Sequence, residues 1–263
     1  MANPLLTEAA FRRSSGTATL PPPDASTRVD GFQPRQTGAA MSVDGTITAT
    51  LGLFALLLAG GFVGWRLVKV EEGEITSFPT WTIAIVLVGA IAVMFANWKP
   101  QIARFVAPAY AVLQGLFVGA VSHAYETWQD GIVLAAVGAT LAVFCVMLAL
   151  YRFRIIKVTQ RLRSIIIGAT VGLMLFYLVA WVVSLFDVNV SIINSTSALG
   201  IGFSVLAAGL AAFNLLLDFD LIERGSKAAA PAYMNWFAAL GLLVTIVWLY
   251  LELLRLLSKL QRR

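Results

Sequence analysis

The chain has 263 residues, 59% of them hydrophobic and only 13% charged, with a net charge of +5 and a mean hydropathy of +0.83. A soluble domain carries about 25% charged residues because its surface faces water, so this composition excludes a soluble enzyme, a disordered chain and a disulfide-stapled secreted scaffold. The basic residues lie between apolar blocks and form no stripe, which argues against nucleic acid as a partner. What remains is an integral membrane protein whose first partner is the lipid bilayer.

In chain order, residues 1–45 differ in kind from the rest. Pro21-Pro22-Pro23, scattered Ser, Thr and Gly, and few large apolar residues predict a disordered tail. No long apolar run follows Met1, so a cleavable signal peptide is not expected. Pro4-Leu5-Leu6 with Ala9-Ala10-Phe11 is the alternative, a short element docking on the membrane surface.

Beyond the tail, uncharged windows set the spans. They cover 45–65, 75–98, 105–125, 131–151, 164–186, 188–217 and 228–251, each with at least 21 positions. A helix needs about 20 mostly apolar residues to cross a hydrocarbon core, so residues 46–263 predict an all-α bundle of seven transmembrane helices. The runs are continuous rather than alternating, which excludes a closed β-barrel. The sixth window holds the polar run Asn194-Ser195-Thr196-Ser197, and its helix is expected to start there. Pro108 is expected to bend or start the third helix, and Cys145, in an apolar run, to be a packing residue. Gly60-Gly61 with Gly64, Gly115 with Gly119, and Gly200 with Gly202 are close-packing signals. Trp65, Trp81, Trp98, Trp128, Trp236 and Trp248 suggest an aromatic belt.

Orientation follows from short-loop Lys and Arg. The tail (Arg12, Arg13, Arg28, Arg35) and the second, fourth and sixth loops carry thirteen basic residues, whereas the opposite side has Arg66 and Lys69, diluted by Glu71, Glu72 and Glu74. The N-terminus is therefore expected in the cytoplasm. Arg255, Lys259, Arg262 and Arg263 then fall on the outer side, against the bias. Six crossings with a re-entrant last segment is the alternative that would satisfy it.

Function should show in the few polar groups at membrane depth, because an ionisable side chain there costs about 2.5–3.5 kcal/mol. The candidates are Asp218, Asp220 and Glu223 at the end of the sixth helix and Glu252 late in the seventh, with Gln114, Asn214 and Thr245 as neutral companions. Asp220 and Arg224 are spaced i,i+4 and can neutralise each other at a solvated helix end. Asp218 follows Asn214 by one turn and has no basic partner on its own helix, which makes it the stronger candidate. Glu252 has Arg255 at i+3, so an interfacial ion pair competes with a functional role. A carboxyl inside a bundle changes its charge with proton concentration, which makes these groups candidate proton sensors.

His123 is the single histidine, and with Glu126 it makes at most an incomplete metal pair. No His-Glu-x-x-His, Gly-x-Ser-x-Gly or P-loop pattern occurs. No lysine lies in any window, which excludes a retinal Schiff base. An enzyme is not expected, and no resident cofactor.

The stretches Asp218-Phe219-Asp220-Leu221-Ile222 and Leu249-Tyr250-Leu251-Glu252, with Tyr110-Ala111-Val112-Leu113-Gln114-Gly115-Leu116 and Gly119, resemble the Bax inhibitor family. The resemblance covers roughly residues 45–260 and is strongest to a bacterial branch with a long N-terminal tail. Members typically carry Asp-Thr-Gln-x-Ile in helix six, Leu-Tyr-Leu-Asp in helix seven and often Glu where Gln114 stands. Phe219-Asp220, Glu252 and Gln114 depart from that pattern. The resemblance implies a bundle with its last helix central, and a carboxylate pair that senses pH and gates a calcium leak. Carried over by position, the pair is Asp218 and Glu252, supported by Asn214, Asp220 and Gln114, with calcium ions and protons as the species handled. Placing the hairpin turn near Pro231 offsets the two carboxylates by about 12 Å along the helices, so they are either joined by a tilted or broken helix or act as two gates on one path. The expected activity is a pH-sensitive calcium or cation leak in a bacterial plasma membrane. The alternatives are a non-conducting regulator that binds a membrane protein such as a quality-control protease, and a proton-coupled solute transporter.

Overall fold

A computed structural model describes residues 40–71, 74–77, 81–184, 186 and 195–262. The tail features from Pro4 to Arg35, together with Glu72, Asp187, Asn194 and Arg263, lie outside the described residues. Among those described, seven helices are long and apolar enough to cross a membrane. They are α1 (Val43–Leu67), α2 (Trp81–Trp98), α3 (Ala103–Trp128), α4 (Ile132–Arg152), α5 (Gln160–Ser184), α6 (Ala198–Lys227) and α7 (Tyr233–Gln261). Between α1 and α2 a short antiparallel hairpin pairs β1 (Lys69–Glu71) with β2 (Glu74–Ser77), a detail the charged loop composition did not announce.

Helix ends follow local chemistry. Ser42 caps α1 by accepting from the Gly45 amide at 2.9 Å, and Ser197 caps α6 by accepting from Gly200 at 3.3 Å. The α6 start thus falls directly after the polar run. Glu126 closes α3 onto α4: its carboxylate accepts from the amides of Gly131 (2.7 Å) and Val133 (3.0 Å), where Gly131 takes the left-handed conformation at φ 77°. A 3-10 turn at Pro100–Ile102 leads into α3, so Pro108 sits inside that helix and does not start it.

All three apolar clusters share α7. The first joins Leu53 and Leu57 of α1, Ala96 of α2, Tyr110 of α3 and Leu243 of α7; the second joins Met147 of α4 and Leu215, Leu216 and Phe219 of α6 to Leu249; the third joins Ile132 and Ala136 of α4 to Tyr250 and Leu254. The last helix is therefore central. The outer helices bury few residues and present large apolar side chains outward, with Leu134 and Leu199 each 78% exposed. Apolar surface of that kind is stable only against lipid. Cys145 belongs to this outward face and is exposed, not packed. A membrane helix is apolar on every side, so hydrophobicity did not reveal which face was buried.

α1 and α3 cross through glycine. A Cβ on Gly60 would meet the Val112 carbonyl oxygen at 2.5 Å, one on Gly64 the Leu116 oxygen at 2.1 Å, one on Gly115 the Leu57 oxygen at 2.2 Å and one on Gly119 the Gly61 oxygen at 2.0 Å. A Cβ on Gly200 would meet Ser195, just before its own helix, and one on Gly202 would meet nothing within 4 Å, so neither glycine is required by a close helix crossing.

The start of α1 is stapled to the turn between α6 and α7. The Met41 amide donates to the Ala230 carbonyl at 2.6 Å, and Asn235 Oδ1 accepts from the Ser42 amide and the Thr46 hydroxyl, each at 3.1 Å. The turn lies at Pro231 as expected, with Ala229 in the left-handed region at φ 48°.

Helices six and seven run well past their uncharged windows. Asp218 lies nine residues before the α6 terminus rather than at it. α7 is one continuous 29-residue helix, which removes the re-entrant alternative. It also recasts the basic C-terminal residues. Arg255 is ion-paired within the bundle and Lys259 is buried, so neither is a loop charge that opposes the orientation bias.

Candidate functional site

The candidate site is a stripe on the central helix. Gly241, Thr245, Trp248 and Glu252 follow one another at i, i+4, i+7 and i+11, which places them on one face of α7. Across from this stripe runs α6, antiparallel. The Asp218 Oδ1 lies against Gly241, and Lys259 Nζ donates to the Ser204 hydroxyl at 2.8 Å, two contacts that fix the register of the pair. Thr245, one turn beyond Gly241 on the same face, lies beside Asp218.

Asp218 is half-buried as a residue, but its Oδ2 is sealed from the surface with no hydrogen-bond partner among the described residues. The Thr245 hydroxyl, which donates to the Gly241 carbonyl at 3.1 Å, lies beside the same carboxyl. An unpartnered buried carboxyl oxygen costs about 1–3 kcal/mol or more if charged.

Glu252 is the opposite case. It is 2% exposed and fully engaged: Tyr177 of α5 donates to Oε1 at 2.9 Å, Trp248 Nε1 donates at 3.2 Å, and Arg255 donates to Oε2 at 3.0 Å. Arg255 also donates to the Tyr177 hydroxyl at 2.8 Å. The Glu252–Arg255 pair expected at an interface is therefore in the bundle interior, held by a tyrosine from a different helix.

The two carboxylates do not share a partner. Asp218 contacts the level of Gly241 and Thr245, and Glu252 lies seven residues beyond Thr245, about 10 Å along the helix. Trp248 stands between them on the same stripe, which makes it a component of the site and not of an aromatic belt; Trp65, Trp81, Trp98 and Trp128 do sit at helix ends. Among the described residues no group of three or more His, Cys, Asp or Glu side chains converges on one point.

The supporting residues are also separated. Asn214 donates to the Thr170 hydroxyl of α5 at 2.8 Å and to the Leu210 carbonyl at 2.9 Å, turned to α5 although it is one turn from Asp218. Gln114 faces α2 beside Gly89. Asp220 is ion-paired with Arg224 at 2.6 Å, as its spacing predicts, and also with Arg163 at the start of α5. Glu223 pairs with Lys227 and accepts from the Tyr151 hydroxyl of α4. His123 stacks on Trp65 with ring centroids 4.6 Å apart, and its Nδ1 contacts the Trp65 carbonyl at 2.8 Å; Glu126 is occupied in capping α4.

Sequence reasoning did not find Tyr177, Ser122 or Lys259. The Ser122 hydroxyl and Tyr250 hydroxyl meet at 2.7 Å, a buried link from α3 to α7. Lys259 is buried and donates to the Gly200 carbonyl at 2.9 Å as well as to Ser204. The tyrosines carried a signal, because a tyrosine in an apolar window must find a partner for its hydroxyl. Lys259 reads from sequence as a basic residue on the outer side, and nothing in its local sequence indicates burial.

No curated protein sequence matches the chain significantly. A family model described as Bax inhibitor 1 like matches residues 3–262, nearly the whole chain. The seven-helix bundle with its central last helix agrees with that match, and the chain belongs to the Bax inhibitor 1 like family of membrane proteins.

Proposed function

We propose that the protein is a non-enzymatic, pH-sensitive cation leak, with calcium as the favoured cargo, in a bacterial plasma membrane with its N-terminus in the cytoplasm. The observation that carries the reading is the unpartnered, buried Oδ2 of Asp218 facing the stripe on α7. A carboxylate is a hard oxygen donor suited to calcium, and protons compete for the same oxygen. The orientation rests on the basic bias of the loops, which the internal roles of Arg255 and Lys259 leave without a strong counterweight.

In this mechanism Asp218 and Glu252 are two stations on one path, two helical turns apart, with the Trp248 indole between them. Asp218 receives the cation or the proton. Glu252, with Arg255 and Tyr177, latches α5 to the central helix. Loss of the Glu252 charge would free Arg255 and so loosen the latch.

The test is calcium flux into proteoliposomes at several external pH values, with Asp218→Asn and Glu252→Gln. Asp218→Asn should lower the flux and flatten its pH response. Glu252→Gln should raise the flux at the pH where the parent protein is closed. Parent-like flux and pH response in both variants would remove these groups from the mechanism. A folded parent protein with no flux above empty liposomes would turn the reading to a non-conducting membrane regulator.

A further inference from the structure

A large cleft lies apart from the α6–α7 stripe, at the end of the bundle where α1 begins and α4 ends. Its volume is about 1110 Å³, its side walls are α1 and α4, and residues of α6 and α7 form its floor. α1 and α4 do not pack on each other, so the cleft opens sideways between them. Both lips are apolar and turned outward: Leu51 of α1 is 66% exposed and Leu141 of α4 is 59% exposed.

The cleft carries charge only at one end, and the hydroxyls of Thr50 and Thr140 along its walls are bonded within their own helices. At the charged end Arg152, Arg154 and Lys157 line it together with Asp220 and Glu223. The two acids are already neutralised, Asp220 by Arg163 and Arg224, and Glu223 by Lys227. Arg152, Arg154 and Lys157 are exposed and join no ion pair among the described residues. The result is an apolar slot with a cationic mouth.

Its length identifies what fits. Along α1 the lining runs from Val43 to Phe54, and along α4 from Thr140 to Arg152, roughly 17 Å in each case. One leaflet of a hydrocarbon core is about 15 Å deep. A transmembrane helix from another protein would need a groove about twice as long. We propose that the cleft between α1 and α4 binds one anionic phospholipid, its acyl chain between the two helices and its headgroup at Arg152, Arg154 and Lys157.

The full-length protein in nanodiscs of mixed phosphatidylglycerol and phosphatidylcholine tests this. A diazirine probe would replace either Leu51, on the lip of the cleft, or Leu58, which is equally exposed on the same helix but outside the cleft. Mass spectrometry of the adducts then reads the headgroup. Adducts at position 51 should be enriched in phosphatidylglycerol over those at position 58, by about fivefold for each basic side chain engaged. The enrichment should vanish in R152Q/R154Q/K157Q. It should also vanish in Thr50→Phe, which fills the slot and leaves the mouth charged. Identical headgroup distributions at the two positions would overturn the proposal. So would enrichment that survives either variant, or protein–protein adducts at position 51 in native membranes in place of lipid ones.

Discussion

Tyr177 of α5 donates its hydroxyl hydrogen to Glu252 of α7 at 2.9 Å and fastens a peripheral helix to the centre of the bundle. α5 buries only Ile166, Leu173 and Ala180 and packs chiefly on α6. This bond is its polar tie to the central helix, beside the Asn214–Thr170 hydrogen bond and the Arg163–Asp220 ion pair that hold it to α6. Arg255 closes the triangle by donating to both residues, and Trp248 adds a further donor to Glu252.

Breaking the triangle at one corner leaves a buried charge uncompensated. Glu252→Gln and Arg255→Met should each lower stability by about 3 kcal/mol, measured by thermal unfolding in detergent. Tyr177→Phe removes both hydrogen bonds of the hydroxyl, the one it donates to Glu252 and the one it accepts from Arg255, and should cost at least about 1.5–3 kcal/mol. The double variant Glu252→Gln/Arg255→Met should lose less than the sum of the single losses, because the pair vanishes together. Additive losses would show that the residues act independently.

Asp218 predicts the reverse sign. Its buried Oδ2 has no partner among the described residues, so Asp218→Asn removes a destabilising group and should leave the unfolding temperature unchanged or raised. Two intramembrane carboxylates on adjacent helices would then respond oppositely to neutralisation. A marked loss of stability in Asp218→Asn would mean that the carboxylate is structural.

Trp248 occupies the stripe between the two carboxylate levels and donates to Glu252 at 3.2 Å. Trp248→Phe keeps most of the bulk and should retain a low resting flux in the proteoliposome assay. Trp248→Ala should raise it severalfold. Equal flux in the two variants would show that the indole blocks no path.

The α1–α3 crossing gives a packing test with an internal control. Gly64→Ala and Gly119→Ala place a methyl group 2.1 Å and 2.0 Å from backbone oxygens and should each cost about 1–3 kcal/mol. Gly172→Ala, in α5, meets nothing within 4 Å and should be neutral or stabilising by about 0.5–1 kcal/mol. Unfolding midpoints of the three variants, compared in one detergent, decide the matter.

Much of the architecture was written along the chain. Scarcity of charge is a one-dimensional signal, and the cost of placing charge in hydrocarbon turns it directly into the number of spans, while the polar run ending at Ser197 marked the start of α6 and Pro231 the turn. The paired glycines of α1 and α3 were legible for a similar reason: backbones can approach closely only where both sides lack a Cβ. Asp218 and Glu252 stood out because ionisable groups are expensive at that depth. Tertiary structure alone decided what each group faces. Asn214 and Asp218, one turn apart, turn to α5 and α7 respectively. Arg255 and Lys259, basic residues near the end of the chain, are absorbed into the bundle, and Cys145 faces outward. The reason is that a membrane helix is apolar around its whole circumference, so its sequence carries no amphipathic stripe to say which side is inside; only the packing of the neighbouring helices settles that.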